Sequence, residues 1–530
     1  MNFTELVPNF ETSVLPAKVT LVTPPSVFLL DERVFVNLGI LKVAAVLEAS
    51  GVEIDHLDLS GTANFLEPLR DYLKVTDSKV VGLTTTTPQL PAIVRIIKTI
   101  REVRPDMKII LGGPHITLTH SAVKLEKRAG RISRAHTALA QLEQLTDTLV
   151  SGDGEIAIFT ALRPDAPKLV DGDDPKGGMF LTNQSYDATP LPARHLVQLS
   201  SYKYEIEGKP STSLIAQLGC PFACGFCGGR NSKSLRLIRT RTTESIIAEV
   251  KMLYETYGYT GFMFYDDELN VNKNMIELMN ELSRLQDRLG VEFRLRGFVK
   301  SQLFNEEQAR AMYTAGFRWL LSGFESGSER ILENINKKAT RDENTRAVEI
   351  AKNAGLKVKA LMSVGHPGES PETVAATQQW LMEVEPEDFD CTVITTYPGT
   401  PYYDEAVPHE SLPGVWTYTY ARNGDRLHAY EIDFLTVADY YKGDPKGGYK
   451  AFVFTDFLTS EQLVEQRNWV ESSVREKLDI PFPQARAALQ YEHSTGQGAN
   501  AVLPDFILGT SESAHAEHRD DSRAAVAGKP

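Results

Sequence analysis

The chain has 530 residues, 42% of them hydrophobic and 24% charged, the composition of folded globular domains and not of a disordered polymer. Its formal net charge of −14 argues against a nonspecific nucleic-acid binder, which needs a basic surface. No apolar run reaches the roughly 18 residues that a membrane-spanning helix requires, so no membrane span is expected.

The opening stretch MNFTELVPNFETSV has neither a basic nor an apolar signal region, so no leader is expected. The first strand reads as 18–23 (KVTLVT), ending in Pro24 and Pro25. A helix over 38–50 follows, with Ile40, Val43, Ala44 and Leu47 on its apolar face and Gly51 as its stop. Strands over 52–59 and 79–83 come next, the second running into Thr84, Thr85, Thr86 and Thr87. Pro91 suits the first turn of a helix that buries Ile93, Ile96, Ile97 and Ile100. A fourth strand over 108–111 ends in Gly112, Gly113, Pro114 and His115. Alternating strands and helices of this length predict a parallel, doubly wound sheet. Ligands of such sheets bind beyond the carboxyl ends of the strands. Those ends carry the proline pair, the threonine run and the Gly-Gly turn. Two adjacent glycines would let the backbone approach a bulky ligand. Residues 119–149 read as a solvated helical insertion without chemistry, and 163–200, rich in Pro, Gly and Asp, as a linker. The first domain is accordingly placed at 1–190.

Three of the four cysteines follow: Cys220, Cys224 and Cys227, in a Cys-x3-Cys-x2-Cys spacing, with Cys391 far downstream. Thiolates are soft ligands that suit iron–sulfur clusters or zinc. A structural zinc closes four ligands. No further Cys or His follows within the next hundred residues, and His195 lies well before the motif. Three cysteines can hold three irons of a cubane cluster and leave the fourth open. Such thiolates need a reducing compartment, so the cytoplasm is expected. Six strand–helix units over 191–405 predict a partial barrel of parallel strands, whose chemistry sits at the carboxyl ends. Asp266, Glu325 and Ser363 stand at those ends, and Arg296 closes the third strand. Residues 413–455 are dense in aromatics, among them Trp416, Tyr418, Tyr420, Tyr440, Tyr441 and Tyr449, and 406–508 read as a cap. A helix over 460–477 is expected to anchor through Leu463, Trp469 and Val470. Residues 509–530 read as a disordered tail.

The cysteine spacing, with the aromatic Phe226 before the last cysteine, resembles the radical S-adenosylmethionine (SAM) signature. The pieces Pro24-Pro25, Thr84 to Thr87, Gly112-Gly113-Pro114-His115 and Ser151-Gly152-Asp153-Gly154-Glu155 resemble the cobalamin-binding domain fused ahead of many radical SAM enzymes. The resemblance implies an α/β chain: an N-terminal Rossmann-like sheet, a partial (β/α)6 TIM-type barrel and a C-terminal cap. It implies three cofactors: a 4Fe-4S cluster on Cys220, Cys224 and Cys227, SAM, and cobalamin. SAM would meet Phe226, Asp266, Arg296, Glu325 and Ser363. Cobalamin would meet Pro24, Pro25, Thr84, Thr85, Thr86, Gly112, Gly113, Pro114, His115, Gly152, Gly154 and Glu155. The Asp-x-His-x-x-Gly loop that ligates cobalt in mutases is missing, so His115 is expected beside the cobalamin tail and not on the metal.

The activity this resemblance implies is methylation of an unactivated carbon of a small-molecule or peptide substrate, through methylcobalamin and a 5′-deoxyadenosyl radical. A flavodoxin or ferredoxin would supply the electron. Ring contraction or cyclisation with the same cofactors is the alternative within the family, and a sensor without turnover the alternative outside it. Methylthio transfer to tRNA is disfavoured, because that family carries three further cysteines in its N-terminal domain and residues 1–219 contain none.

Overall fold

The computed structural model describes residues 15–26, 32–437, 450–483, 488–491 and 503–511. Tyr440, Tyr441, Tyr449, the first 14 residues and the tail beyond Ser511 lie outside the described residues.

The first six strands are β1 (Lys18–Thr23), β2 (Glu53–Asp58), β3 (Val80–Thr84), β4 (Lys108–Gly112), β5 (Thr148–Gly152) and β6 (Leu169–Gly172). They pair in parallel in the order β2-β1-β3-β4-β5-β6. These strands are apolar runs because helices cover both faces. Val19 and Leu21 pack in one core cluster with Ile40, Leu41 and Ala44 of the helix Leu38–Glu48. Val22 packs in the other with Ile93, Ile96 and Ile97 of the helix Leu90–Val103. The strand order reverses between β1 and β3, so the switch point is flanked by Pro24-Pro25 and the threonine run.

Several expectations are corrected here. Residues 119–149 are no insertion: they continue the helix Pro114–Arg128, form the helix Arg134–Leu145 and begin β5. Their polar residues cover an outer face, while Ala122, Val123, Leu139 and Leu142 are buried. The supposed linker holds β6. The helix Leu66–Val75, unread in the sequence, buries Leu69, Tyr72 and Leu73.

The second sheet uses β7 (Glu205–Ile206), β8 (Lys209–Leu214), β11 (Gly261–Phe264), β12 (Arg294–Phe298), β13 (Phe317–Glu325), β14 (Lys357–Val364) and β15 (Asp388–Val393). Between β8 and β11, β9 (Gln217–Leu218) and β10 (Arg239–Thr240) form a short antiparallel ribbon. The sheet order is β15-β14-β13-β12-β11-β8-β7, a curled half-barrel in which β7 alone runs antiparallel. Phe262, Phe264, Phe293 and Phe317 pack its outer face against the helices. A four-stranded antiparallel sheet follows: β16 (Val407–Pro408), β17 (Val415–Thr419), β18 (Arg426–Tyr430) and β19 (Val453–Thr455). It lies on the loop beyond β14, where the Thr455 hydroxyl donates to the Glu369 carbonyl and Asn334 donates to Asp425.

The edge strand β15 would leave backbone groups unpaired. The helix Ser460–Leu478 closes it with side chains instead of a seventh parallel strand. Glu471 accepts from the Cys391 N–H at 2.6 Å, Arg467 donates to the Cys391 carbonyl at 2.6 Å, and Arg475 donates to the Phe389 carbonyl. Glu471 also accepts from Arg475 at 2.6 Å. Leu463 and Val470 are buried anchors of this helix, whereas Trp469 is 41% exposed. The start of the expected tail is ordered too: β20 (Leu508–Thr510) pairs antiparallel with β2.

Replacing Glu471 with alanine removes the carboxylate shared by two buried guanidinium groups and leaves the Cys391 N–H without its acceptor. E471A is expected to cost about 3–5 kcal/mol, read as an earlier urea midpoint. E471Q keeps an acceptor for the Cys391 N–H and should cost less.

Candidate active site

The cysteine loop, residues 219–238, hangs between β9 and β10. Gly219 takes φ +88°, and a Cβ there would stand 2.2 Å from the Leu237 carbonyl. A Cβ on Gly225 would meet the Tyr402 ring at 2.4 Å. The Cys220 N–H donates to the Leu235 carbonyl, the Gly225 N–H to the Ile335 carbonyl, and the Asn336 amide to the Ala223 carbonyl. Cys220, Cys224 and Cys227 line one cavity of about 90 Å3 with Phe222, Arg236 and Asp267. Among the described residues, no group of three or more His, Cys, Asp or Glu side chains is arranged to hold a single metal ion. Three thiols around a shared cavity fit a polynuclear cluster and not a closed zinc site. Cys391 is buried in the barrel wall, away from the other three.

Burial pushes the Cys220 thiol up to about 11, and Asp267, Glu268 and Cys224 add to the shift. Two buried lysines supply opposite charge. Lys300 is 1% exposed, with its ammonium 4.1 Å from the centre of the Phe222 ring and donating to the Lys337 carbonyl. Burial, and then the Lys337 charge, lower its pKa, against the upward pull of Cys224 and Glu268. Lys337 pairs with Glu325 at 3.1 Å. Burial alone would lower the Lys337 pKa, but Glu325, Cys224 and Glu268 outweigh it and raise it.

Glu325 ends β13 at φ +68°, a left-handed conformation that is strained for glutamate. That backbone turn aims the carboxylate inward. Ser363, at the end of β14, donates to it at 2.9 Å and contacts His366 Nε2 at 2.8 Å. His366 is fully buried, its pKa pushed down to about 3 by burial and by Lys337. It is therefore a neutral ring, 5.3 Å from the Phe226 ring and next to the Tyr402 hydroxyl. The structure thus brings Phe226, Glu325 and Ser363 together with the cysteines.

Asp266 and Arg296 stand apart from them. The Asp266 carboxylate is 1% exposed and accepts the backbone N–H groups of Ala216 and Gln217, fixing the chain as it leaves β8 for the cysteine loop. Burial raises its pKa to about 7. Arg296 lies mid-strand in β12, beside Met263 and Trp319.

At the edge of the first sheet, Pro24 accepts from the Gln89 amide at 3.1 Å, joining the ends of β1 and β3. Gly113 takes φ +100°, and its Cβ would fall 2.6 Å from the Thr85 nitrogen. Gly152, at φ +84°, meets Asp173 in the same way. Both glycines permit close contact between neighbouring strand ends. Thr86 and Pro114 remain exposed at the edge, Gly112 and Glu155 are half-buried, and the Ser151 hydroxyl is buried without a partner at the end of β5. That open rim with an unused hydroxyl fits a large polar ligand such as a corrin. His115 is 2% exposed, and Thr87 and Thr119 occupy its two ring nitrogens at 2.9 and 3.2 Å. Burial pushes its pKa down to about 3. Neither nitrogen is free for a metal.

The two sheets are latched across this edge. The Asp173 carboxylate accepts from the Ser232 hydroxyl and from Ser234, both in the cysteine loop, at 2.7–2.8 Å. Asp153 pairs with Arg239. Leu118 packs under Gly228 and Gly399, where a Cβ would stand 2.9 and 3.0 Å away. A wider surface hollow of about 330 Å3 at the opposite edge, around Arg101, Asp106 and Asp147, takes no part in this junction.

Known protein families divide the chain in the same way. Residues 32–141 match the B12 binding domain, and residues 214–381 match the radical SAM superfamily. The chain is a radical SAM enzyme with an N-terminal cobalamin-binding domain. An uncharacterized methyltransferase of Pyrococcus horikoshii is 27% identical over 398 residues, 74% of this chain and 84% of the relative. An anaerobic magnesium-protoporphyrin IX monomethyl ester cyclase of Rubrivivax gelatinosus is 23% identical over 69% of this chain and 64% of the cyclase. The solved radical SAM methyltransferase TsrM of Kitasatospora setae, with cobalamin and a 4Fe-4S cluster bound, superposes with a TM-score of 0.58 at 17% identity. That superposition covers 87% of this chain and 100% of TsrM, and it shows the shared fold. The cofactors of this radical SAM enzyme are a 4Fe-4S cluster, SAM and cobalamin. No helix among the described residues is long and apolar enough to cross a membrane.

Lysine 337 and Asp266 give separable outcomes. K337M leaves the Glu325 carboxylate buried without its cation and is expected to lower cluster-free stability by about 3–5 kcal/mol; the double variant K337M/E325Q should recover part of that loss in urea unfolding. Asp266 has its folded pKa raised to about 7. Its proton is held in the folded chain below that value and released from the unfolded chain above about 4. Its contribution is therefore full below pH 4 and fades as pH rises through 7. D266N should flatten the fall in urea midpoint between about pH 4 and 7 seen for the parent chain.

Proposed function

We propose that the protein is a cobalamin-dependent methyltransferase that adds a methyl group to an unactivated carbon of a small-molecule substrate. One observation carries this reading: the carboxyl edge of the first sheet and the three-cysteine cavity are latched face to face by Asp173, Asp153 and Leu118. Methyl transfer from cobalt to a substrate radical needs both cofactors at one substrate, so this placement dominates the rate. When bound, SAM on the cluster supplies a 5′-deoxyadenosyl radical, and cobalamin supplies the methyl group.

The chain's own residues hold and orient these groups. Cys220, Cys224 and Cys227 ligate three irons. Lys300 and Lys337 offset the thiolate charge. Glu325 and Ser363 face the SAM ribose, with His366, itself faced by the Tyr402 hydroxyl, fixing the hydroxyl of Ser363, and Phe226 would support the adenine through its backbone. Pro24, Pro25, Thr84 to Thr86, Pro114 and Ser151 line the corrin side. Arg230 and Lys233 are exposed on the cysteine loop. Exposed cations beside the cluster loop, Arg230 also pairing with Glu405, would meet an acidic flavodoxin or ferredoxin as electron donor.

Cyclisation or ring contraction with the same cofactors is the second reading, favoured by the likeness to the cyclase. Product mass separates the two: methyl transfer gives S-adenosylhomocysteine and a product heavier by one methylene. Anaerobic production with cobalamin is expected to give about four irons and one corrinoid per chain. C220A, C224A and C227A should each lose the iron, and C391A should keep it. Iron without corrinoid would sink the methyltransferase reading, and zinc in place of iron would sink both.

A further inference from the structure

The inner face of the half-barrel carries several cations, and most of them are matched. Arg294 and Lys357 share Glu207, and Lys359 pairs with Asp388 and Asp390. Arg296 has no ion pair among the described residues. It lies on one rung of the barrel with Ser213, Met263 and Trp319, its guanidinium 5.8 Å from the Trp319 ring centre. Its Nε and the hydroxyl of neighbouring Tyr204 are both buried without a hydrogen-bond partner of good geometry, as is the Ser213 hydroxyl. A half-buried cation beside unused donors is costly until an anion arrives.

The surroundings describe the rest of that ligand. One rung nearer the cysteines, Tyr265 stays 48% exposed at the end of β11, with Phe298 at 6.3 Å and Phe35 at 5.1 Å between ring centres. Phe35, Phe298 and Trp319 pack on a small apolar cluster separate from the main cores. They form an aromatic wall above a cationic floor.

The anion is not the carboxylate of SAM. That group must reach the open iron beside the cysteines, where Lys300 and Lys337 already stand. Arg296 precedes Lys300 by four residues, which at the rise of a strand places it about 13 Å deeper in the barrel.

We infer that Arg296 anchors a carboxylate of the substrate, and that Tyr265, Phe298 and Trp319 receive its aromatic or apolar body. The inference rests on the enzyme reading above and narrows its substrate class. A guanidinium binds a carboxylate through two parallel hydrogen bonds, which fixes orientation as well as affinity. Anchoring the acid at the floor points the other end of the molecule toward the cofactors.

The test uses the reconstituted holoenzyme and paired probes: 3-phenylpropionate, indole-3-propionate and 1-naphthoate against their primary amides, titrated by saturation-transfer NMR. The acids should bind about tenfold or more tightly than the amides. R296Q should erase that preference and R296K keep part of it, while SAM affinity stays unchanged in both. Equal binding of acid and amide by the parent enzyme overturns the inference, and so does no binding of any probe. Loss of SAM affinity in R296Q also overturns it and assigns the guanidinium to SAM. If R296Q does not fold, the acid-to-amide ratio of the parent enzyme decides. Iron and corrinoid contents of the same samples report on the enzyme reading separately: an acid preference without corrinoid would strike that reading and leave Arg296 standing.

Discussion

Negative charge concentrated around one small cavity is the constraint on which this site depends. Three thiolates, Asp267 and Glu268 share the surroundings of one cavity of about 90 Å3. Unit charges 4 Å apart interact by about 4 kcal/mol at an effective dielectric of 20, so such a group cannot stand uncompensated. Lys300 and Lys337 answer it from below the loop, and both are almost fully buried. Glu325 then balances Lys337 and must turn inward to do so, which accounts for its left-handed backbone. Gly323 belongs to the same solution, since a Cβ there would fall 2.4 Å from the Glu325 carboxylate.

Charge alone does not hold a loop of this length. The cysteine loop has little regular structure, so its backbone groups need partners from elsewhere. Ile335 and Asn336 meet it from the barrel, Tyr402 fills the space over Gly225, and Asp173 and Leu118 meet it from the first sheet. The loop is thereby a joint between two sheets and not an appendage of one. On the far side of the half-barrel, Arg467, Glu471 and Arg475 finish the edge of β15 with side chains.

The legible parts of this chain were those written in local pattern. Alternating apolar runs marked β1 to β4 and the barrel strands, and cysteine spacing marked the cluster loop. Long-range pairings left no such trace. Asp153 meets Arg239 across 86 residues and Asp173 meets Ser232 across 59, with no periodicity to announce either. Lys300 and Lys337 were passed over because lysine is rarely buried unless paired. β6 and β20 are strands of four and three residues, too short to show alternation. Gly113 was read as a position of close approach, and a Cβ there would meet the Thr85 backbone, a neighbour that no local pattern announces. Asp266 sits where a ligand contact was expected, yet both of its oxygens serve the chain.

The two histidines nearest the chemistry show how the fold separates reaction from acid–base work. His115 and His366 are both buried and both held neutral, one at the carboxyl edge of the first sheet and one beside Ser363 and Phe226. Hydroxyls hold both nitrogens of His115, and Ser363 and Tyr402 face those of His366. Neither is positioned to titrate near neutral pH or to bind a metal. A radical reaction gains from that arrangement, because a mobile proton or a competing ligand would open side reactions in the closed chamber. Among the described residues, the cations on the inner wall are matched in pairs, whereas Arg296 has no ion pair. A site whose chemistry is lent by its cofactors has selectivity as the main task left for its side chains. An unmatched guanidinium under an aromatic wall is where that selectivity would reside.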